Sequence, residues 1–279
     1  MGKNERVKPR NDELINYLLR PAKSVERKML CEALNRLCTV AELKDYQYVG
    51  FGSVYFADFT LFHKSLGIQK LISIEAEEEM EARVRFNQPY SSIQVMPGWS
   101  YDMLPTVNWD GNKTILWVDY TERLKGYMFK DMATFFQRAV SGSTFIISVN
   151  VDLADDSGNK TVTEKIKQRL EKDADVKKRI RSSELKSEMN KHDYYVTIRN
   201  VIDSEIQEIV SERNKLENDT KFHYRQIFNF IYHDGQTMLT VGGILYNEAD
   251  KGRVEQMNFT GLDFVVSDEN YFEIKVPHL

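Results

Sequence analysis

The chain has 279 residues, 42% hydrophobic and 29% charged, with a formal net charge of -4. This composition describes a globular protein with room for a sizeable core, and the acidic balance excludes nucleic-acid binding driven by overall charge. No run of about 18 apolar residues and no signal-like apolar stretch follow the polar start MGKNERVKPRNDE, so the reading is a cytoplasmic protein with no membrane partner.

Residues 1–12 read as a mobile start, and residues 1–42 as a helical preface. Leu14, Tyr17 and Leu18, then Val25, Met29, Ala33 and Leu37, mark two amphipathic helices around Pro21, with Ser24 as an N-cap. This preface is expected to pack on a sheet or to cover a ligand mouth. Cys31 and Cys38 share a predicted helix without a CxxC pair or clustered histidines, so they read as small buried hydrophobes. A strand over 46–50 then breaks at Gly50-Phe51-Gly52, and a helix is expected from Ser53 as N-cap to Gly67 at C′. A strand that turns into a helix through glycines lets backbone approach a ligand, although a tight packing turn reads the same way.

From there apolar strands alternate with helices: strand 70–75, helix 77–86 opened by Glu77, Glu78 and Glu79, strand 92–96, strand 114–119, helix 128–140 and strand 144–149. That alternation predicts a parallel sheet covered on both faces. Residues 152–221 read as a charged helical insertion starting at a capping box, Thr161 with Glu164. Its segment 160–191 holds eleven basic and six acidic residues, which suggests either a solvated face or an arm for a nucleic-acid or protein partner. The sheet resumes at 222, where Asp234-Gly235 between two apolar runs predicts a hairpin, and short strands are expected at 262–266 and 271–276. The α/β domain thus comprises 43–151 and 222–279. No metal site is expected: Asp152, Asp155 and Asp156 lack a matched ligand set, and the five histidines are scattered.

Five β/α strands closed by an antiparallel hairpin resemble the Rossmann-like class I methyltransferases that use S-adenosylmethionine. Gly50-Phe51-Gly52 is similar to their glycine-rich first loop, and Glu75 to the acid on the cofactor ribose, where a carboxylate accepts both hydroxyl hydrogens. Gly98 and Trp99 resemble the loop that borders the adenine, with Tyr101, Asp102 and Leu104-Pro105 after it. Asp119 and Tyr120 end the fourth strand, where the resemblance places substrate and reaction-centre residues. The resemblance implies a sheet order 3-2-1-4-5 plus the hairpin, and methyl transfer to an acceptor that no residue reveals, with Asp119 as base. The sequence departs from the pattern at Tyr48, where the family carries an acid, at Val54 in place of its third glycine, and at Trp99 in place of the acid at the adenine. A second reading is therefore open: a methyltransferase-shaped scaffold without catalysis, its pocket filled by side chains such as Tyr48 or Trp99. Plainer roles are open too, with Glu75 as a solvated acid, Asp119 as a turn cap and Asp58 as a surface or capping group.

Overall fold

A computed structural model describes residues 20–76, 80–154, 160–216 and 220–276. In chain order the elements are α1 (Pro21–Asn35), β1 (Gln47–Gly50), α2 (Ala57–Leu66), β2 (Lys70–Glu75), α3 (Glu81–Asn87), β3 (Ile93–Pro97), α4 (Ser100–Met103), β4 (Thr114–Asp119), α5 (Met128–Arg138) and β5 (Ser143–Asn150). They continue with α6 (Val162–Glu171), α7 (Ala174–Arg179), α8 (Lys191–Leu216), β6 (Phe222–His233), β7 (Thr237–Asn247), α9 (Lys251–Gln256) and β8 (Phe272–Ile274).

β4 shows why the central strands are apolar throughout. Its side chains alternate between faces, so Ile115 and Trp117 enter one core cluster while Leu116 and Val118 enter the other. The first cluster lies under α1, α2 and the chain around α9; the second lies under α5, α6 and α8. The eight strands run in the order β3-β2-β1-β4-β5-β7-β6-β8. β1 to β5 are mutually parallel, and β7 pairs antiparallel with β5 and with β6. The expected 3-2-1-4-5 order and the hairpin are therefore present, with Gly235 at φ 80 in the turn, a value that suits glycine. α/β architecture with this topology is the Rossmann-like class I methyltransferase fold.

Several local expectations are corrected. The helix after β1 begins at Ala57, not at Ser53, and its N-cap is Phe56 with no side-chain cap. Ser53 and Phe56 both have positive φ, and the Phe56 N–H donates to the Gly52 carbonyl at 2.9 Å, which makes 52–56 a turn of its own. The left-handed conformation costs about 1–2 kcal/mol, and full burial of the Phe56 ring, which contributes about 1.5–3 kcal/mol, offsets it. Gly67 is the left-handed C-cap of α2 as expected. Ser24 lies inside α1, whose N-cap is Arg20. Residues 262–266 form no strand; the closing strand is β8, parallel to β6. Cys38 is exposed and Cys31 partly so, rather than both buried. The expected helix around Leu14, Tyr17 and Leu18, the Glu77–Glu79 run, and Asp155 and Asp156 lie outside the described residues.

The charged segment 152–221 packs part of its helices on the core. The capping box at Thr161 and Glu164 opens α6 as expected, but Ile198, Ile202, Ile206 and Ile209 of α8 belong to the core cluster shared with α5 and the sheet. Several of its basic residues are also engaged within the chain. Arg179 pairs with Glu205 and lies 4.0 Å over the Phe129 ring, Lys186 pairs with Asp193, and Lys177 and Lys178 reach Glu171 and Asp175. Counting charge within 160–191 omits Glu205 and Asp193, which α8 brings back against it. Among the described residues no helix is long and apolar enough to cross a membrane.

Candidate active site

The C-terminal ends of the parallel strands open onto a cleft of about 700 Å³. In an open parallel sheet this edge, where the strand order reverses between β1 and β4, is where ligands bind. The turn after β1 supplies Phe51 and Gly52, β2 ends on Glu75, the start of α4 brings Trp99 and Ser100, and β4 ends on Asp119 and Tyr120. α1 crosses the remaining side with Arg20, Lys23 and Arg27, spaced to share one helix face. The β6–β7 turn completes the rim with Tyr232, Asp234 and Gln236.

Gly52 fixes the floor. Its N–H donates to Ser73 Oγ at 3.1 Å, and a Cβ there would run into that hydroxyl and stand 2.7 Å from the Phe56 ring. Only glycine fits, and its backbone is held against β2 beneath the cleft. Gly50 and Gly98, expected at the ligand, do not line it. A Cβ on Gly50 would meet Tyr48 Oη at 2.5 Å and the Trp117 carbonyl at 3.3 Å, so this glycine serves packing inside the sheet. Gly98 donates its N–H to the Glu75 carbonyl at 2.8 Å and so ties the end of β2 to the loop after β3. Trp99 is 53% exposed and stacks on Tyr101 with centroids 6.0 Å apart, leaving the indole at the cleft wall.

Asp119 and Tyr120 are adjacent in sequence and point to opposite faces of the sheet. Asp119 Oδ1 accepts from Lys23 Nζ at 2.7 Å. Lys23 is 2% exposed, pairs with the fully buried Glu26 at 2.7 Å, donates to Tyr232 Oη at 3.0 Å and sits 4.4 Å over the Trp117 ring. Glu26 also accepts from the Thr240 hydroxyl. Burial pushes the Glu26 carboxyl above its ordinary range, and Lys23 works against that shift. The Asp119 side chain remains 30% exposed, on the cleft. Asp234 accepts from the Ala22 and Lys23 amides at 3.3 and 2.7 Å, which holds the N-terminus of α1 to the hairpin turn.

Tyr120, expected to act in chemistry, is otherwise engaged. Its phenol donates to Asp131 of α5, beside the Ser100 hydroxyl that donates to the same oxygen. Burial and the Asp131 charge push the phenol well above its ordinary value, and the Tyr120 ring lines the cleft. That ring meets Phe51 at 5.2 Å and Tyr127 at 5.8 Å, edge to face. Burial lifts Asp131 to about 6.

Tyr48 does not fill the cleft. Its ring is buried below α2, and its phenol donates to Asp58, which is itself buried, with Arg27 as the nearest opposing charge. Asp58 is therefore neither a surface group nor a cap. A carboxylate absent from the end of β1 is supplied in the first turn of the next helix, and Tyr48 reaches it.

Residues 15–279 match the family described as "Putative O-methyltransferase". The chain belongs to this family. No curated protein matches it. Solved structures similar to it are distant. Cofactor-bound Rv0187 from MTB is 13% identical at a TM-score of 0.38, covering 80% of this chain and 89% of its own. The O-methyltransferase TomG from Streptomyces achromogenes, solved with SAM, is 13% identical at 0.38, with 76% and 78% covered. A LepI variant, in complex with SAH and a substrate analogue, is 8% identical at 0.36, covering 72% of this chain and 43% of its own. The chain thus spans 43% of the length of LepI, and 56% of the chain it matches in a complex of the Haloferax volcanii Trm112 methyltransferase activator with a putative methyltransferase. Likenesses at this distance carry no argument about the site.

For a member of this family, the cleft gathers Phe51, Gly52, Glu75, Trp99, Asp119 and Tyr120 from the residues picked out in sequence, and leaves out Gly50 and Gly98. Sequence reasoning missed Lys23, Glu26, Asp58 and Tyr232. The available signal was Lys23 and Glu26 three apart on the same helix face as Leu30 and Ala33, which buries charge among apolar side chains.

Proposed function

We propose that this protein transfers a methyl group from S-adenosylmethionine to a hydroxyl of a small acceptor, with Asp119 as the proton-accepting carboxylate. The observation that carries this reading is the convergence of the ends of β1, β2, β3 and β4 on one open cleft, with Glu75 and Asp119 on its wall. The residues present fit the cofactor. Gly52 supplies a floor no side chain can occupy, Glu75 ends β2 as an acceptor suited to paired hydroxyls, and the exposed Trp99 indole offers a stacking face. When bound, S-adenosylmethionine supplies an electrophilic methyl group on a sulfonium. The chain's task is then alignment, exclusion of water by the Phe51, Tyr120 and Tyr127 rings, and acceptance of the hydroxyl proton at Asp119. The cleft volume lies within the range of small-molecule sites, which supports a small acceptor.

Titration calorimetry with S-adenosylmethionine and S-adenosylhomocysteine tests the cofactor directly, and absence of binding by both would sink the proposal. Glu75→Ala is expected to weaken binding on the order of 2–4 kcal/mol, roughly 30- to 1000-fold. Asp119→Asn is expected to retain binding while losing transfer of labelled methyl to a panel of hydroxylated acceptors.

A further inference from the structure

Lys23 carries one positive charge into a pocket with two carboxylates, Glu26 and Asp119, each 2.7 Å from its ammonium. The other charged groups at this end of the cleft come from α1, α2 and the hairpin turn. Arg27 faces Asp58, whose carboxyl it opposes in charge. Asp234 is taken up by the first amides of α1. Arg20 and Arg27 bear on the Tyr232 phenol, and burial together with Glu26 and Asp119 keeps that phenol neutral. Tyr48 is likewise held neutral by burial and by Asp58. Among the described residues, Arg20, Lys23 and Arg27 thus face Glu26, Asp58, Glu75, Asp119, Glu122 and Asp234 around the cleft, three cations against six anions. Within the buried cluster the excess is one negative charge shared by Glu26 and Asp119 across Lys23. Of these two carboxylates, Glu26 is fully buried and Asp119 opens to the cleft.

S-adenosylmethionine and S-adenosylhomocysteine differ by a methyl group and one positive charge. A buried charge without a counter-charge is costly, and a ligand that supplies the counter-charge gains what the empty cluster lacks. We propose that Lys23 and Glu26 are positioning residues that hold one negative charge in excess on the cluster that Asp119 opens to the cleft, so that the cleft takes S-adenosylmethionine as the neutralising cation and takes S-adenosylhomocysteine only together with a proton. The inference rests on the cofactor assignment above and deepens it. Glu26 and Asp119 share one ammonium, so the proton is assigned to the cluster rather than to one carboxyl. The upward push of burial on Glu26 shows that the cluster is ready to accept it. The transfer proposed above leaves the acceptor's proton at Asp119, so the S-adenosylhomocysteine complex forms with its proton in place, and product release returns that proton to solvent.

Calorimetry of the full chain, repeated for each ligand in buffers of different ionisation enthalpy, counts the protons taken up on binding. S-adenosylhomocysteine is expected to take up about one proton more than S-adenosylmethionine, and its affinity to fall up to about tenfold per pH unit on the alkaline side, the slope of one linked proton. In Glu26→Gln the excess charge is gone, so the difference in proton uptake should vanish while both ligands still bind. Circular dichroism checks the fold of that variant, and the wild-type comparison stands alone if it misfolds. Equal proton uptake by the two ligands in the wild-type protein overturns the inference and leaves the cofactor assignment intact. An unchanged difference in folded Glu26→Gln overturns the role given to Glu26. Binding of neither ligand overturns the cofactor assignment and, with it, the inference.

Discussion

Asp119 and Tyr120 leave the same strand end for two buried polar clusters on opposite sides of one sheet. On the α1 side, two carboxylates share a buried lysine, and the acid nearer the cleft keeps a cation 2.7 Å away. On the α5 side, Asp131 has only hydroxyl donors, Ser100 and Tyr120, as close partners among the described residues, and burial lifts it to about 6. Hydroxyls stabilise a carboxylate less than an ammonium does, because they bring a dipole and no net charge. A buried cation therefore sets the two acids apart: Asp119 keeps a counter-charge at the cleft edge, and Asp131 has none and is lifted by burial.

The comparison breaks most sharply at Lys23. Lys23→Met strips the ammonium from the fully buried Glu26 and from the part-exposed Asp119, and is expected to cost about 3–5 kcal/mol in denaturant unfolding. Adding Glu26→Gln to it should restore much of the loss, since the stranded charge is then removed; no recovery would mean that the lysine matters through packing on Trp117.

On the other side, the sign of the pH dependence follows from Asp131. Its folded-state value is raised from an ordinary 3.8 to about 6, so the stability it contributes is complete at acid pH and is lost as pH rises through that interval. The loss is at most about 3 kcal/mol, from roughly 1.4 kcal/mol per unit. Urea midpoints measured across the interval should fall with pH in the wild type and flatten in Asp131→Asn; parallel curves would count against the assignment.

Gly52→Ala probes the floor both clusters flank. The added methyl must displace Ser73 Oγ or the Phe56 ring, an overpacking cost of about 1–3 kcal/mol, and should weaken cofactor binding as the turn lifts. The smallest effect is expected far from either cluster. Thr161→Ala removes the capping box of α6 at about 1 kcal/mol and should leave ligand binding unchanged.

The two clusters were also unequally legible in the sequence. Strand ends are visible there, because apolar runs bounded by glycine and charge locate β1, β2 and β4, and with them Gly52, Glu75, Asp119 and Tyr120. The hairpin followed from Asp234-Gly235, and the start of α6 from Thr161 with Glu164. What surrounds Asp119 was not legible. Lys23 lies 96 residues away and Tyr232 lies 209 from Lys23, and local periodicity says nothing about such pairings. Charge also reads as surface by default, which hid Lys23, Glu26 and Asp58 and made 160–191 look like an arm although Glu205 and Asp193 neutralise part of it. The start of α2 was misplaced for a different reason. Ser53 has the chemistry of a cap, but a buried Phe56 in the left-handed region sets the boundary, and burial of that ring depends on the finished core.

The bonds from Ala22 and Lys23 to Asp234 have a consequence for the order of assembly. α1 leaves the ribosome among the first segments of the described chain, yet the carboxylate that anchors its N-terminus is made more than 200 residues later. At about 5–20 residues per second this delay spans roughly ten to forty seconds of synthesis. Throughout it, the helix carries an ammonium and a carboxylate with no completed interior to receive them. The wall of the cleft that is translated first is thus installed last, after β6 and β7 have closed the sheet. Pulse-labelled hydrogen exchange on refolding should find the α1 amides protected after those of β1 and β4. Protection of α1 ahead of the hairpin would show that the helix docks without its anchor.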